Sequence, residues 1–224
     1  MFARFDRMAK AFTRIGKDIA IAVRLGGPNP DNNPRLRMAI QNGKGVNMPK
    51  DRVDAAIKRA TSKEEKDFQE VIYEGYGPHG VPVLVECATD NPTRTVANIR
   101  LRFGKHRGSM GNSGSVSFMF ERKGVFKFDT NKLPLDDLEL DLIDAGAEEI
   151  QREEEGIIIY TKFIEFGHMQ KFLESKNLVA KSCDLQYIPS NTKELTEAYQ
   201  DEVMECITAL EEDEDVQNVY HNLA

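Results

Sequence analysis

The sequence predicts a multidomain α and α+β protein, with an N-terminal three-helix head followed by two α+β domains. Three observations carry this. Through roughly the first 60 residues, apolar side chains recur at spacings of three and four, the period of a helix face. From about residue 70 they become β-branched and fall in short runs bounded by Gly, Pro and Asn, as strands do. Strand-like and helix-like segments then alternate to the end of the chain. At 224 residues there is room for more than one domain.

In the first helix, Phe5, Met8, Phe12, Ile15, Ile19 and Val23 share one face, and Arg7, Lys10, Arg14, Lys17 and Arg24 gather opposite. It runs from about residue 3 to Arg24 and stops at Gly26-Gly27-Pro28. Residues 32–43 read as a second helix with Pro34 in its first turn, Leu36, Ala39 and Ile40 inward, and Arg35 and Arg37 elsewhere. A third helix begins near Pro49, with Val53, Ala56, Ile57 and Ala60 as its apolar stripe and Lys50, Arg52, Lys58 and Arg59 outside. These helices make a head at 1–62, and SKEEKD at 62–67 is a polar linker.

Strands are expected at 71–73 and 81–89, around a turn at Gly75–Gly80. Asp90-Asn91-Pro92 opens a helix packed through Val96, Ile99 and Phe103. Strands at Val116–Glu121 and Val125–Phe128 follow, joined by a turn at Lys123-Gly124. Next come a helix at 134–146, a hairpin whose clearest strand is 157–162, a helix from Phe163, a strand in VAKSCDLQYIP, an acidic helix from Thr196 to Glu212, and a closing strand in VQNVYHNL.

The net charge of −7 conceals a gradient. Residues 1–60 carry 13 Lys/Arg against 5 Asp/Glu, whereas residues 191–224 carry 1 against 10. A basic head joined to an acidic tail suggests that the head meets a polyanion; a solvated helix face is the plainer alternative. No apolar run reaches the ~18 residues of a membrane span. The N-terminus lacks an apolar core followed by a small-residue cleavage site. Cys87, Cys183 and Cys206 are odd in number and far apart, with no CxxC. The expectation is a reduced, cytoplasmic protein without disulfides, metal or cofactor.

The stretch FGKHRGSMGNSGSVSF at 103–118 resembles a phosphate cradle. A P-loop needs GxxxxGK[ST] between a strand and a helix; here Gly104-Lys105 is followed by His106, after a helix and before a strand. GxGxxG fails as well, because Gly108, Gly111 and Gly114 are three apart. Two readings remain: a connector, or a binding loop in which Lys105, His106 and Arg107 reach phosphate, with Ser109, Asn112 and Ser113 beside them. Cys87 beside His79 or His106 suggests a nucleophile and base, but its place in VLVECAT favours a small buried apolar residue. Glu148, Glu149 and Glu153–Glu155 lack the order of an EF-hand and read as a solvated hairpin. Phe118, Phe120, Phe126 and Phe128 alternate along strands and read as core, with a base-stacking platform as the alternative.

The segments VRLGGPNPDNNPRLRMAIQNGKGVNMPKDRVDAAIKRAT, YEGYGPHGVPVLVECATDNPTRTVANIR, GSMGNSGSVSFMFERKG and DVQNVYHNL resemble the YebC family over nearly the whole chain. The resemblance implies a helical head and two α+β domains, the last inserted into the second: 68–130 plus 192–224 around an acidic insert at 131–191. Family members are described as probable transcriptional regulators, and they include a mitochondrial translational activator and bacterial proteins linked to ribosomes stalled on proline-rich sequences. Many begin with a basic arm of the type MAGHSKW; this sequence opens MFARFDRMAKAF, so the arm is expected to be absent or short.

The expected function is a non-enzymatic regulator of gene expression that binds nucleic acid. The foremost form is a DNA-binding transcriptional regulator at promoter DNA. One alternative is a translation factor on ribosomal RNA, and another is a protein-binding adaptor using the acidic domains. Phosphate contacts are expected from Arg7, Lys10, Arg14, Lys17, Arg35, Arg37, Lys50, Arg52, Lys58 and Arg59 of the head. No helix places Asn, Gln or Arg at an evident base-reading register.

Overall fold

The computed structural model describes residues 2–62, 67–129 and 132–224, with side chains described from residue 8 onward. Most of the expected linker at 62–67 therefore lies outside the described residues.

The head consists of α1 (Phe2–Gly26), α2 (Pro34–Gly45) and α3 (Lys50–Ala60). Ile15, Ile19, Val23, Leu36, Ala39, Val53, Ala56 and Ala60 meet in one core, which is the face their periodicity specified. Asn33 fixes the corner between the first two helices. Its buried amide donates to Ala22 O and Gly27 O at 2.7 and 2.9 Å, while Oδ1 accepts from Leu36 N at 3.0 Å. One side chain thus ties a carbonyl in the last turns of α1 and one just past its end to an orphan N–H at the start of α2.

The rest of the chain builds two antiparallel four-stranded sheets. β1 (Gln69–Tyr76), β2 (Pro82–Thr89), β3 (Ser109–Met110) and β8 (Val216–His221) form the first, in the order β3-β1-β2-β8. It is covered by α4 (Pro92–Lys105) and α7 (Glu197–Glu211) around Val83, Val85, Ile99, Phe103, Val203 and Leu210. β4 (Phe120–Asp129), β5 (Ala147–Arg152), β6 (Gly156–Lys162) and β7 (Ser182–Pro189) form the second, in the order β5-β6-β4-β7. There α5 (Leu135–Asp144) and α6 (Phe166–Ser175) cover Phe126, Phe128, Leu142, Ile159 and Met169. The closing strand β8 returns to the first sheet and pairs with β2.

Two expectations change. The turn at Lys123-Gly124 does not exist: β4 runs unbroken through it, pairing with β6 at Lys123↔Lys162 and with β7 at Lys123↔Gln186. Gly124 serves close packing instead, since a Cβ there would lie 2.4 Å from Thr161 Oγ1 and 2.6 Å from the Phe166 ring. The whole of β4 is also internal to the second sheet, whereas the sequence placed it with the first α+β unit. The chain thus passes between sheets near residue 119, where a 3-10 turn at Ser117–Met119 replaces the start of the expected strand.

The head is seated on both sheets. Lys17, 8% exposed, donates from Nζ to Ala88 O, Glu214 O and Asp215 Oδ1 at 2.9, 2.6 and 3.0 Å, which uses all three ammonium protons. Asp215 in turn accepts from Arg94, Thr89 and Thr95. Burial raises the Asp215 carboxyl, but these donors outweigh it and bring it to about 2. On the other side Asn42 completes the edge of β7, donating to Cys183 O at 3.0 Å and accepting from Cys183 N at 2.9 Å.

Candidate nucleic-acid interface

The candidate basic residues of the head divide into two groups, with exposed Lys44 at the end of α2 outside both. One group is engaged by acceptors of the protein itself. Lys17 is the buried anchor just described, so its expected phosphate contact is corrected: three acceptors already hold its charge. Arg14 donates to Glu211 O at 3.3 Å, and with Lys10 it lines a cavity of about 860 Å³ between head and sheets, not an outer surface. Arg35 pairs with Glu70 through both terminal nitrogens. Arg37 donates to Pro30 O and Asp31 O and pairs with Glu174 at 3.3 Å. The Arg7 side chain lies outside the described residues.

The other group lies on α3. Lys50, Arg52, Lys58 and Arg59 are exposed, and none makes an ion pair with a described residue. Arg52 rests over the Phe12 ring at 5.4 Å, which steadies the guanidinium without neutralising it. Lys58 and Arg59 also suit the C-terminal dipole of α3. Asp51 and Asp54 share the exposed surface of this helix, so its field is basic at both ends and not uniform along its length.

The glycine-rich loop is neither a free connector nor an open cradle. Its backbone donors are already filled by a side chain of the protein. Glu74, 6% exposed, accepts from Gly114 N at 2.7 Å and, through its other oxygen, from Val116 N and Ser117 N at 2.8 and 2.9 Å. Burial raises this carboxyl, yet the amides outweigh it and hold it below the usual glutamate range. Gly111 N donates to Glu74 O, and Ser109–Met110 pairs with Gly75–Tyr76. Gly108 permits this closeness, because a Cβ would come within 2.7 Å of Tyr76 O. A phosphate held by these amides would have to displace Glu74. The loop's contribution is therefore its side chains.

Those side chains are presented unevenly. Lys105, Ser109, Asn112 and Ser113 are exposed, and His106 is half-buried at the end of α4. Arg107 sits at φ 57° with its side chain 78% exposed, and Nη1 lies 3.1 Å from Glu202 of α7. The same carboxylate lies 3.0 Å from His79 Nε2, and the His79 ring stacks on Tyr199 at 3.9 Å. This cluster ties the loop to the acidic helix.

Glu74 escaped the sequence reading, and Phe118 departs from the core placement expected of it. Glu74 gave no local signal, since its partners lie about 40 positions away. The alternation along the strands places Phe118 in the core with Phe120, Phe126 and Phe128; those three are buried, and Phe118 is 72% exposed. The 3-10 turn at Ser117–Met119 breaks the alternation that would have put Phe118 and Phe120 on one face.

Burial pushes the thiols of Cys87 and Cys183 up to about 12 and that of Cys206 to about 11, and all three are buried and unpaired. Cys87 is therefore the small buried strand residue expected. Among the described residues no cluster of His, Cys, Asp or Glu could hold a metal ion, and no helix is long and apolar enough to cross a membrane.

Comparison with known proteins matches the family model described as "TACO1/YebC protein N-terminal domain" to residues 1–63 and "TACO1/YebC second and third domain" to residues 68–223. A "Probable transcriptional regulatory protein" of Myxococcus xanthus is 54% identical, covering 100% of this chain and 95% of the relative. Another of the same description from Cytophaga hutchinsonii is 54% identical, covering 99% and 93%. The crystal structure of a conserved hypothetical protein from Aquifex aeolicus superposes with a TM-score of 0.85 at 40% identity, covering 96% of this chain and 90% of that one. With both parts of the model matched over nearly every residue, the chain belongs to the TACO1/YebC family.

Proposed function

We propose that this protein is a regulator of gene expression that binds nucleic acid by its phosphate backbone and catalyses no reaction. The observation that carries the reading is the sorting of the cations. The described candidate cations of α1 and α2 are engaged by acceptors of the protein or line its cavity, while Lys50, Arg52, Lys58 and Arg59 of α3, with Lys44 at the end of α2 and Lys105 of the loop, face solvent without an internal carboxylate. The description of close relatives as transcriptional regulatory proteins supports the coarser part of this reading.

The exposed face of α3 mixes Lys and Arg with Asp51 and Asp54 and has no Asn or Gln for an adenine edge; Arg and Lys can still pair with guanine, so the reading rests on their phosphate contacts, which position without reading sequence. Its leading form is a target recognised by backbone shape, such as ribosomal RNA, with promoter DNA as the alternative. The acidic surface of α7 repels the backbone and limits which side of the molecule approaches it.

The test is an affinity series against salt, for duplex promoter DNA, random duplex DNA and a structured ribosomal RNA fragment. The reading expects log K to fall linearly with log salt, by roughly 0.7–0.9 per phosphate contact. It expects no preference for promoter over random duplex and tighter binding of the RNA. Binding that is weak at low salt and insensitive to it would remove the nucleic-acid reading. A strong promoter preference would restore the operator-binding form.

A further inference from the structure

We infer that Phe118 is a stacking platform for an unpaired base of a single-stranded nucleic acid segment, an inference that rests on the nucleic-acid reading above. The neighbours of Phe118 in sequence are core: Val116 is fully buried and Phe120 nearly so, while Phe118 is 72% exposed. This exposure does not come from a loose loop. Glu74 grips the amides of Gly114, Val116 and Ser117, Met119 N donates to Val116 O at 2.9 Å, and Ser190 N donates to Met119 O at 2.9 Å. A large aromatic ring is thus held in water by a backbone that is fixed on both sides of it. An ordered, solvent-facing ring suits stacking, since little conformational freedom remains to be lost on contact.

The surroundings suit a polyanion. Residues 91–120 contain no Asp or Glu and five Lys/Arg. Arg94 and Arg102 are engaged by Asp215 and Asp213, which leaves Arg100 and Lys105 exposed and Arg107 tethered to Glu202. Both arms of the loop are fastened to the same three residues, Glu74–Tyr76. Ser109 pairs with Tyr76 on one arm and Ser117 bonds Glu74 on the other. α4 packs on the Val83–Val85 face of the first sheet and Val116 and Phe120 on its Leu84 face, so the cations that precede the loop and the ring that follows it border the β3 edge from opposite faces, and a strand that meets both passes over that edge. Phosphate contacts on one side and a π-face on the other are the two elements by which proteins hold single strands. A base inside a duplex is already stacked and paired and cannot use such a ring.

The chain contains no tryptophan, so Phe118→Trp supplies a single reporter at the ring itself. The full-length variant is titrated with a mixed-sequence oligonucleotide of about 12 nucleotides, as single-stranded RNA, single-stranded DNA and duplex, at about 50 mM salt. Anisotropy of the labelled strand measures binding in parallel. Expected is quenching of Trp emission that tracks single-strand binding for at least one sugar, and none with duplex. Phe118→Ala is expected to bind the same strand roughly 5- to 100-fold more weakly while Phe118→Trp retains affinity. Both variants should keep the wild-type melting temperature, because the ring packs little. The inference is overturned if the strand binds while emission stays unchanged and Phe118→Ala binds as tightly as wild type, which would leave the phosphate-binding function intact. If the wild-type protein binds none of the three, the nucleic-acid reading fails and takes the inference with it.

Discussion

Helices α1 and α3 look alike as sequence: each is amphipathic, with lysines and arginines opposite its apolar stripe. The structure uses them in different ways. On α1, Lys17 is desolvated and holds the head to Ala88, Glu214 and Asp215, while Lys10 and Arg14 turn into the central cavity. On α3 the four candidate cations remain in water. The same residue types act as mortar in one helix and as bait in the other. What separates them is the number of internal acceptors within reach, and the sequence of either helix alone does not carry that number.

The largest effect should come from breaking the mortar. Lys17→Ala leaves Asp215 and two carbonyls short of a donor, and loss of one partner of a buried pair costs about 3–5 kcal/mol. Urea unfolding should show this loss. Lys50→Ala on α3 should change stability by less than about 0.5 kcal/mol. Equal effects would erase the distinction between the helices.

Next in size is Glu74→Ala, which strips the acceptor from three loop amides. The expected cost is about 2–3 kcal/mol, with hydrogen exchange accelerated at Gly114, Val116 and Ser117. Unchanged protection there would mean that the loop is held by something other than this carboxylate.

A third effect concerns the cavity wall. Burial, the largest influence, raises the carboxyl of Asp18 to about 7 and that of Asp184 to about 6; Gln217 and Asn42, respectively, partly offset it by donating to them. A carboxyl raised in the fold binds its proton more tightly than in the unfolded chain. Its contribution is therefore complete below about pH 4 and is lost as pH rises towards 6–7. Asp18→Asn should stabilise the protein by about 1–2 kcal/mol at pH 8 and by little at pH 4. A gain that is independent of pH would show that the titration of Asp18 is not its source.

How far the sequence revealed this arrangement depended on the range of the interaction. Ile15, Ile19, Val53 and Ala56 pack where a helical period places them, because the rule that governs them spans a few residues. Asn91 before Pro92 caps α4 as expected, since a cap is equally local. Lys17 could not be read correctly, because Asp215 is 198 positions away. Gly124 looked like a turn, and only the approach of Thr161 and Phe166 gives it another purpose. The glycine loop was legible as unusual in composition. That its amides were already filled was not, because Glu74 lies in a different strand.

The most direct test of the central claim compares two sets of cations in one assay. Lys50/Lys58/Arg59→Gln removes exposed charges of α3, and Arg35/Arg37→Gln removes charges paired with Glu70 and Glu174. Binding to the same RNA fragment is followed across salt for both variants, with melting temperatures as controls. The account predicts that the α3 variant loses roughly 2–3 from the magnitude of the log K against log salt slope. The α2 variant should change that slope by less than about 1. Equal changes in slope, or a larger change from Arg35 and Arg37, would contradict it.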